Sequence, residues 1–321
     1  MRAAVYRRYG PPEVVQIEDV PMPVPKDDEI LVRVRATTVS AADWRFRRPS
    51  PFLIRLMNGV WRPKKVKVLG AELSGTVESV GKNVTRYAAG DQVFGTPGLN
   101  WGAHAEYICI PESGLLAEWP RNLPLEDAAA VLFGGLTALC FLRGRVLAGS
   151  NVLVYGASSS VGTSAVQLAK HFGARVTAVC SGANVELVKS LGADEAVDYT
   201  REDFSRAGRV YDMVFDAVGK SGVRRGMKTL KRGGYSVQAT LAPAWNLGAV
   251  WMSLTGSAKP VSGVIKPTRD DVLYLKELIE AGKFRPVIDR RYSLEEIAEA
   301  HRYAEAGHKK GNVIVMVERQ M

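Results

Sequence analysis

The sequence predicts an α/β fold in two parts, a doubly wound parallel sheet joined to a compact β-rich unit. Three observations carry this. From residue 150 onward, apolar strands and helices alternate as in successive βαβ units. Several of those strands are nearly continuous apolar runs, as parallel strands buried on both faces require. Residues 1–40 and 68–110 read instead as short strands, punctuated by Pro11, Pro12, Pro21, Pro23, Pro25 and by Gly75, Gly81, Gly90 and Gly95. A chain of 321 residues also exceeds one ordinary core, so two domains are expected.

Taken in order, AAVYRRYG, VVQIEDV and EILVRVRATTVS alternate as strands. VLGAELSGTVESVG, GDQVFGT and HAEYICIP continue as β. Near Pro120 the period changes, and LPLEDAAAVLFGGLTALCFLRG reads as helix. Strand NVLVYG and helix SVGTSAVQLAKHFG follow, then strand RVTAVCS and helix NVELVKSLG. AVDYT, YDMVFDAVG with a following helix, and GGYSVQAT complete the alternation. RDDVLYLKELIEAG is an amphipathic helix, and the tail reads strand, helix, strand, ending in GNVIVMV.

Hydrophobic content of 46% and charged content of 24% are those of a soluble globular protein. MRAAVYRRYGPPEVV has no apolar signal core. Residues 128–142 are uncharged but too short to span a bilayer, and residues 234–258 are interrupted by Gln238, Pro243 and Asn246. Cys109, Cys140 and Cys180 are scattered and odd in number, which supports neither a zinc knuckle nor a disulfide framework. A cytoplasmic location is expected. His171, His301 and His308 are read as surface residues, while His104 could face a cleft as proton donor.

The stretch LVYGASSSVGTSAVQLAK, residues 153–170, is the chemical signal. A buried strand runs into a small-residue turn and a helix opens near Val161. Against the GxGxxG fingerprint the overlay is Ala157, Ser159 and Gly162, so one glycine of three is kept. The three jobs are a tight turn, close pyrophosphate approach and helix–strand packing; Gly162 keeps the last. Ser158, Ser159 and Ser160 offer hydroxyls beside a helix N-terminus that favours anions. The turn can cradle a diphosphate, though a serine-rich turn without ligand would look alike. On the next strand no acid follows VTAVC; Ser181 stands where an NAD-binding chain places a carboxylate. A serine can donate to a 2′-phosphate that an acid would repel, which favours NADP(H).

With these residues in view, the chain resembles the zinc-independent quinone oxidoreductase branch of the medium-chain dehydrogenase/reductase superfamily. The runs that carry the resemblance are GSNVLVYGASSSVGTSAVQLAKHFGA, VTAVCSGANVELVKSLGADEAVDYT, MRAAVYRRYGPPEVVQIEDVPMPVP, LSGTVESVGKNVTRYAAGDQVFG and GNVIVMV. The resemblance implies a chaperonin-10-like β-rich catalytic domain at residues 1–119 and 282–321, around a Rossmann domain at 120–281. It implies NADPH, and reduction of quinones or α,β-unsaturated carbonyls. Tyr199 matches a frequent phosphate contact and Thr137 a position beside the cofactor. Some members have a lysine near the position of Asn184 that holds the 2′-phosphate, and this chain does not. Val161, Val218 and Thr240 complete the expected cofactor set. Zinc enzymes of the superfamily have Cys near Ser40, a His-Glu pair where this chain has Ala71-Glu72, and a four-cysteine loop around residues 95–110. Those ligands are missing here, so no metal is expected.

Hydride transfer needs a positioned nicotinamide and a proton source. Ser40 and Asp43 of TTVSAADW match the family's catalytic segment; a helix or turn cap is the alternative. Two other functions stay open: a non-catalytic NADPH-binding sensor, structural or RNA-binding protein, and a related alcohol dehydrogenase or enoyl-thioester reductase. The expected partners are a small-molecule substrate and a second copy of the chain, paired through residues 241–256 and the strand near VSGVIKP. Net charge is +10, and residues 33–67 hold ten Lys or Arg against Asp43 alone. PFLIRLMNGVW could form a short amphipathic helix there. It would serve either as a lid closing the substrate cleft or as a surface for anionic membrane. Nucleic acid is not expected, for want of a recognised motif.

Overall fold

The computed structural model describes residues 1–50, 52–206, 208–240, 252 and 254–318. By contacts the chain divides into residues 1–133 with 268–321, and residues 134–267.

The first unit carries strands β1 (Arg2–Tyr6), β2 (Val15–Asp19), β3 (Glu29–Thr38), β4 (Leu73–Val80), β5 (Gln92–Thr96), β6 (Tyr107–Pro111) and β7 (Leu115–Glu118). The second carries β8 (Asn151–Tyr155), β9 (Arg175–Cys180), β10 (Glu195–Asp198), β11 (Tyr211–Asp216), β12 (Leu230–Gln238) and β13 (Ala258–Ser262). The first unit resumes with β14 (Ile288–Ser293) and β15 (Asn312–Met316). The helices are α1 (Ala41–Arg47), α2 (Leu53–Asn58), α3 (Leu125–Ala128), α4 (Leu132–Leu142), α5 (Ser160–His171), α6 (Val185–Ser190), α7 (Val223–Thr229), α8 (Arg269–Glu280) and α9 (Ile297–Glu305).

In the first unit, β1 and β2 form an antiparallel pair, while a larger sheet runs β14-β15-β3-β4-β5-β7 with β6 also on β3. β3 runs for ten residues, alternating only in its middle, and it serves as the hub that β4, β6 and β15 share. Tyr6, Ile30, Val32, Leu73, Val93, Leu116, Ile297 and Val315 fill the core beneath it. Burial of this kind stabilises by roughly 25 cal/mol per Å² of apolar surface.

In the second unit six parallel strands run β10-β9-β8-β11-β12-β13. β8 and β9 are buried at every position after the first, because both faces are covered. The order reverses beside β8, and the crevice outside the strand ends at such a reversal is where doubly wound sheets bind ligands. The expected fold class holds in both parts.

The domain limits expected at 119/120 and 281/282 differ from the contact division. α3 packs on β3 and β4, and α8 packs on β7, which draws both helices to the β-rich unit. The helical run after Pro120 is also broken: α3 ends at Ala128 and α4 starts at Leu132. Among the described residues no helix is long and apolar enough to cross a membrane.

Candidate functional site

The nucleotide turn of the second unit is built by close approach. Gly156 has φ 73°, and a Cβ there would meet Val218 Cγ1 at 2.7 Å. A Cβ on Gly162 would stand 2.1 Å from the Gly156 carbonyl oxygen, so the kept glycine is required where the helix crosses the strand end. Ser159 is the N-cap of α5, and its Oγ accepts from Gly162 N at 3.1 Å. A Cβ on Gly134 of α4 would meet Ser160 O at 2.5 Å. α4 therefore lies against the first turn of α5, with half-buried Thr137 three residues further along that side.

The ribose end is defined by a hydrogen-bonded trio. Asn184 Nδ2 donates to Ser158 Oγ and to Ser181 Oγ, both at 3.1 Å. Asn184 Oδ1 is buried with no partner among the described residues. Thr240 Oγ1 lies where a Cβ on Gly219 would be 2.8 Å away. Tyr199 is exposed, its ring 6.4 Å from that of Tyr155. Thus Ser158, Ser159, Ser160, Val161, Ser181 and Asn184 are brought together at one end of β8 and β9, and Val218 covers Gly156.

The first unit holds a buried polar cluster. Ser40 caps α1: Asp43 Oδ2 accepts from Ser40 N at 2.7 Å and from Ser40 Oγ at 2.5 Å. Asp43 Oδ1 accepts from Gly70 N at 2.9 Å. The capping alternative is thus realised in the structure. Glu72 Oε1 accepts from Thr38 Oγ1 at 2.6 Å, and Oε2 accepts from Phe133 N at 2.7 Å, at the start of α4. Burial of the carboxylate pushes Glu72 up to about 7. His104 Nε2 donates to Thr38 O at 2.9 Å, which fixes the proton on that nitrogen; its Nδ1 has no partner among the described residues. Half-buried Lys309 is lowered to about 8 by loss of hydration, opposed by Glu72, Asp289 and Asp43.

Families described as alcohol dehydrogenase GroES-like domain and zinc-binding dehydrogenase match residues 26–121 and 191–315. The chloroplast envelope quinone oxidoreductase homolog of Arabidopsis thaliana is 32% identical over 336 residues, spanning 98% of this chain and 98% of that protein. The chain belongs to the quinone oxidoreductase branch of the medium-chain dehydrogenase/reductase superfamily. The chloroplastic NADPH-dependent alkenal/one oxidoreductase of Arabidopsis thaliana is 32% identical over 330 residues, 98% of this chain and 79% of that one. The quinone oxidoreductase from Coxiella burnetii superposes with TM-score 0.88 at 29% identity, covering 99% of each chain.

As a member of this branch the chain has a fold that takes a nicotinamide dinucleotide, and its residues fit one. Small side chains, the N-terminus of a 12-residue helix and the orphaned Asn184 amide oxygen meet at the turn. Zinc finds no comparable set: the ligand positions of zinc enzymes carry Ser40 and Ala71, and Glu72 is spent on Thr38 and Phe133. Among the described residues no group of three metal-ligating side chains occurs.

Four residues were missed or misread in the sequence. His301, expected at the surface, is fully buried, its ring 5.7 Å from that of His104. Burial, then His104 and Arg47, hold its pKa well below the usual range, so it is neutral. Asp216 at the end of β11 accepts from Gly219 N at 2.7 Å and Ser221 N at 2.8 Å, which ties down the loop carrying Val218. Asp198 was overlooked because it lies on β10, beside Cys180 in register. A Cβ on Gly182 would be 2.6 Å from Asp198 Oδ2, so a carboxylate does stand by the loop after β9. Its hydrogen bond from Thr200 keeps it ionised. Lys309 had no motif to mark it. Cys180 is buried, and burial pushes its thiol up to about 11.

Proposed function

We propose that this chain is an NADPH-dependent, zinc-independent oxidoreductase that reduces quinones or α,β-unsaturated carbonyl compounds. The observation that carries the reading is the serine turn opening α5, linked through Asn184 to Ser181. It occurs in a chain whose full-length relatives are named quinone and alkenal/one oxidoreductases.

When bound, the reduced nicotinamide supplies a hydride, two electrons and one proton in a single transfer. The protein's part is position and proton supply. Ser158, Ser159, Ser160 and the first backbone amides of α5, Val161 among them, hold the diphosphate. Val218, Thr240 and Thr137 bound the remaining surface, and Ser181, oriented by Asn184, takes the 2′-phosphate with Tyr199. A quinone gains hydride and one proton to become a hydroquinone; an enone takes hydride at the β carbon and a proton at the α carbon. Ser40 hands its hydroxyl proton to the reduced substrate and regains one from water, and Asp43, which accepts from that hydroxyl, orients it. Asp43 also sets the tilt of Ser40 by tying it to Gly70.

The test is loss of NADPH absorbance with a simple water-soluble quinone and with a short enone. Turnover of neither, with NADPH bound, would leave the sensor, structural or RNA-binding alternative. Preference for alcohols or enoyl thioesters in the same panel would favour the related enzyme class. Protein purified without added metal is expected to carry well below one zinc per chain. A stoichiometric zinc that vanishes on Glu72→Ala would overturn the metal-free mechanism. The three free cysteines accord with a reducing, cytoplasmic setting, and a homodimer completes the proposal.

A further inference from the structure

Helix α2 presents its apolar side the wrong way round for a core helix. Ile54 is buried, and Asn58 is buried too, its Nδ2 donating to the Tyr6 hydroxyl at 2.7 Å and its Oδ1 accepting from Val66 N at 2.8 Å. Those two anchors fix the opposite side. Leu53, Leu56 and Met57 follow at helical spacing and stand in solvent, flanked by exposed Phe52, Val60 and Trp61. Leu56 is 60% exposed and Trp61 89%. A lid shutting a cleft would hide this stripe.

Cations rim the stripe. Asn58 O accepts from Lys64 N at 2.7 Å, which folds residues 59–64 into a closed loop beside the helix. Arg62, Lys64, Lys65 and Lys67 are exposed and have no acidic partner among the described residues. Residues 45–67 contain eight Lys or Arg and no Asp or Glu. Of these, Arg47 and Arg48 are taken up by Glu305.

We propose that Phe52–Lys67 is a docking surface for an anionic lipid bilayer. An apolar stripe gains from an apolar medium, and a rim of unpaired cations gains from fixed anions. A bilayer interface supplies both within one shallow layer, about 5–10 Å deep. A second copy of the chain would set cation against cation. Nucleic acid would satisfy the lysines and leave Leu53, Leu56 and Met57 wet. Docking would hold the protein where lipophilic quinones partition. That consequence rests on the proposed function, so the test contains no substrate and stands or falls apart from it.

The test is cosedimentation of the full chain with phosphatidylcholine vesicles, with and without phosphatidylglycerol. Retention on the anionic vesicles at low salt and release at high salt are expected. Lys64→Gln, Lys65→Gln and Lys67→Gln together should lower the partition about 100-fold, from about 1 kcal/mol per charge. Leu56→Ser with Trp61→Ser should lower it at every salt concentration, and both variants should turn over a water-soluble quinone as the parent does. Absence of retention at low salt, or retention indifferent to both variants, overturns the proposal. So does an oligonucleotide that binds as tightly and ignores Leu56→Ser with Trp61→Ser. Loss of soluble turnover in that variant with vesicle binding unchanged would mean a lid instead.

Discussion

Ser181 and Asp198 pull in opposite directions on the ribose end of the cofactor. Ser181 is a neutral donor held by Asn184, whereas Asp198 is an anion one strand away. Ser181→Asp should weaken NADPH and spare or improve NADH. Asp198→Asn should strengthen NADPH, since it removes a like charge near the 2′-phosphate. Isothermal titration of both cofactors checks this, and equal affinity of the parent for the two would refute the NADPH assignment. Ser181 was legible in the sequence because the fingerprint counts along one strand. Asp198 was not, because only parallel pairing brings it alongside.

Glu72 makes a second residue-scale case. In the sequence it was the remnant of a zinc pair; burial and two hydrogen bonds appear only once β4 and α4 are folded. Its folded pKa of about 7 lies above the ordinary 4.5, so the folded state holds the proton more tightly. That stabilisation is complete below about pH 4.5 and is lost as pH rises through 7. The neutral isostere Glu72→Gln keeps a hydrogen bond and removes the titration. It should flatten the decline between those limits and be more stable than the parent above pH 7, by up to about 3 kcal/mol. Urea unfolding at pH 5 and pH 8 measures it; parallel curves for parent and variant would show that Glu72 does not titrate there.

At the scale of elements, α5 was the most legible feature and remains the most demanding. Its apolar strand, small turn and buried helix stand in the sequence as one unit, since each obeys its own period. Gly162→Ala should cost cofactor binding and stability together, because the added methyl would have to move the Gly156 carbonyl. Ser159→Ala removes the cap and one hydroxyl at the diphosphate, and should cost about 1 kcal/mol of stability with a smaller loss of NADPH affinity than Gly162→Ala. Thermal unfolding with and without NADPH separates the two. A Gly162→Ala chain with parental melting and binding would contradict the close approach. The interruption between α3 and α4 was illegible because residues 128–133 are apolar without a break, and no punctuating residue marks it. β7 went unread because its four residues follow β6 so closely.

For the whole molecule, charge and edge were both visible as composition before they had a place. The surplus of ten positive charges is almost that of residues 33–67 alone, so the remaining surface is close to neutral. Self-association elsewhere meets little repulsion. The six-stranded sheet ends at β13, whose outer edge carries no strand partner among the described residues. An edge of this kind is an association hazard unless covered. Lys259, which would blunt it, lies over the Tyr235 ring at 5.2 Å. Leu254 and Val264, on either side of β13, are exposed apolar residues. Residues 241–251 and 253, part of the stretch expected to pair, lie outside the described residues. A two-fold axis beside β13 would pair the strand with its own copy and bury Leu254 and Val264 against each other. Light scattering at micromolar concentration should therefore give twice the chain mass. Leu254→Asp with Val264→Asp should give a monomer that still binds nicotinamide dinucleotide, because both positions lie apart from the α5 turn in the sheet order. A monomeric parent would leave the β13 edge open in solution and end the dimer proposal.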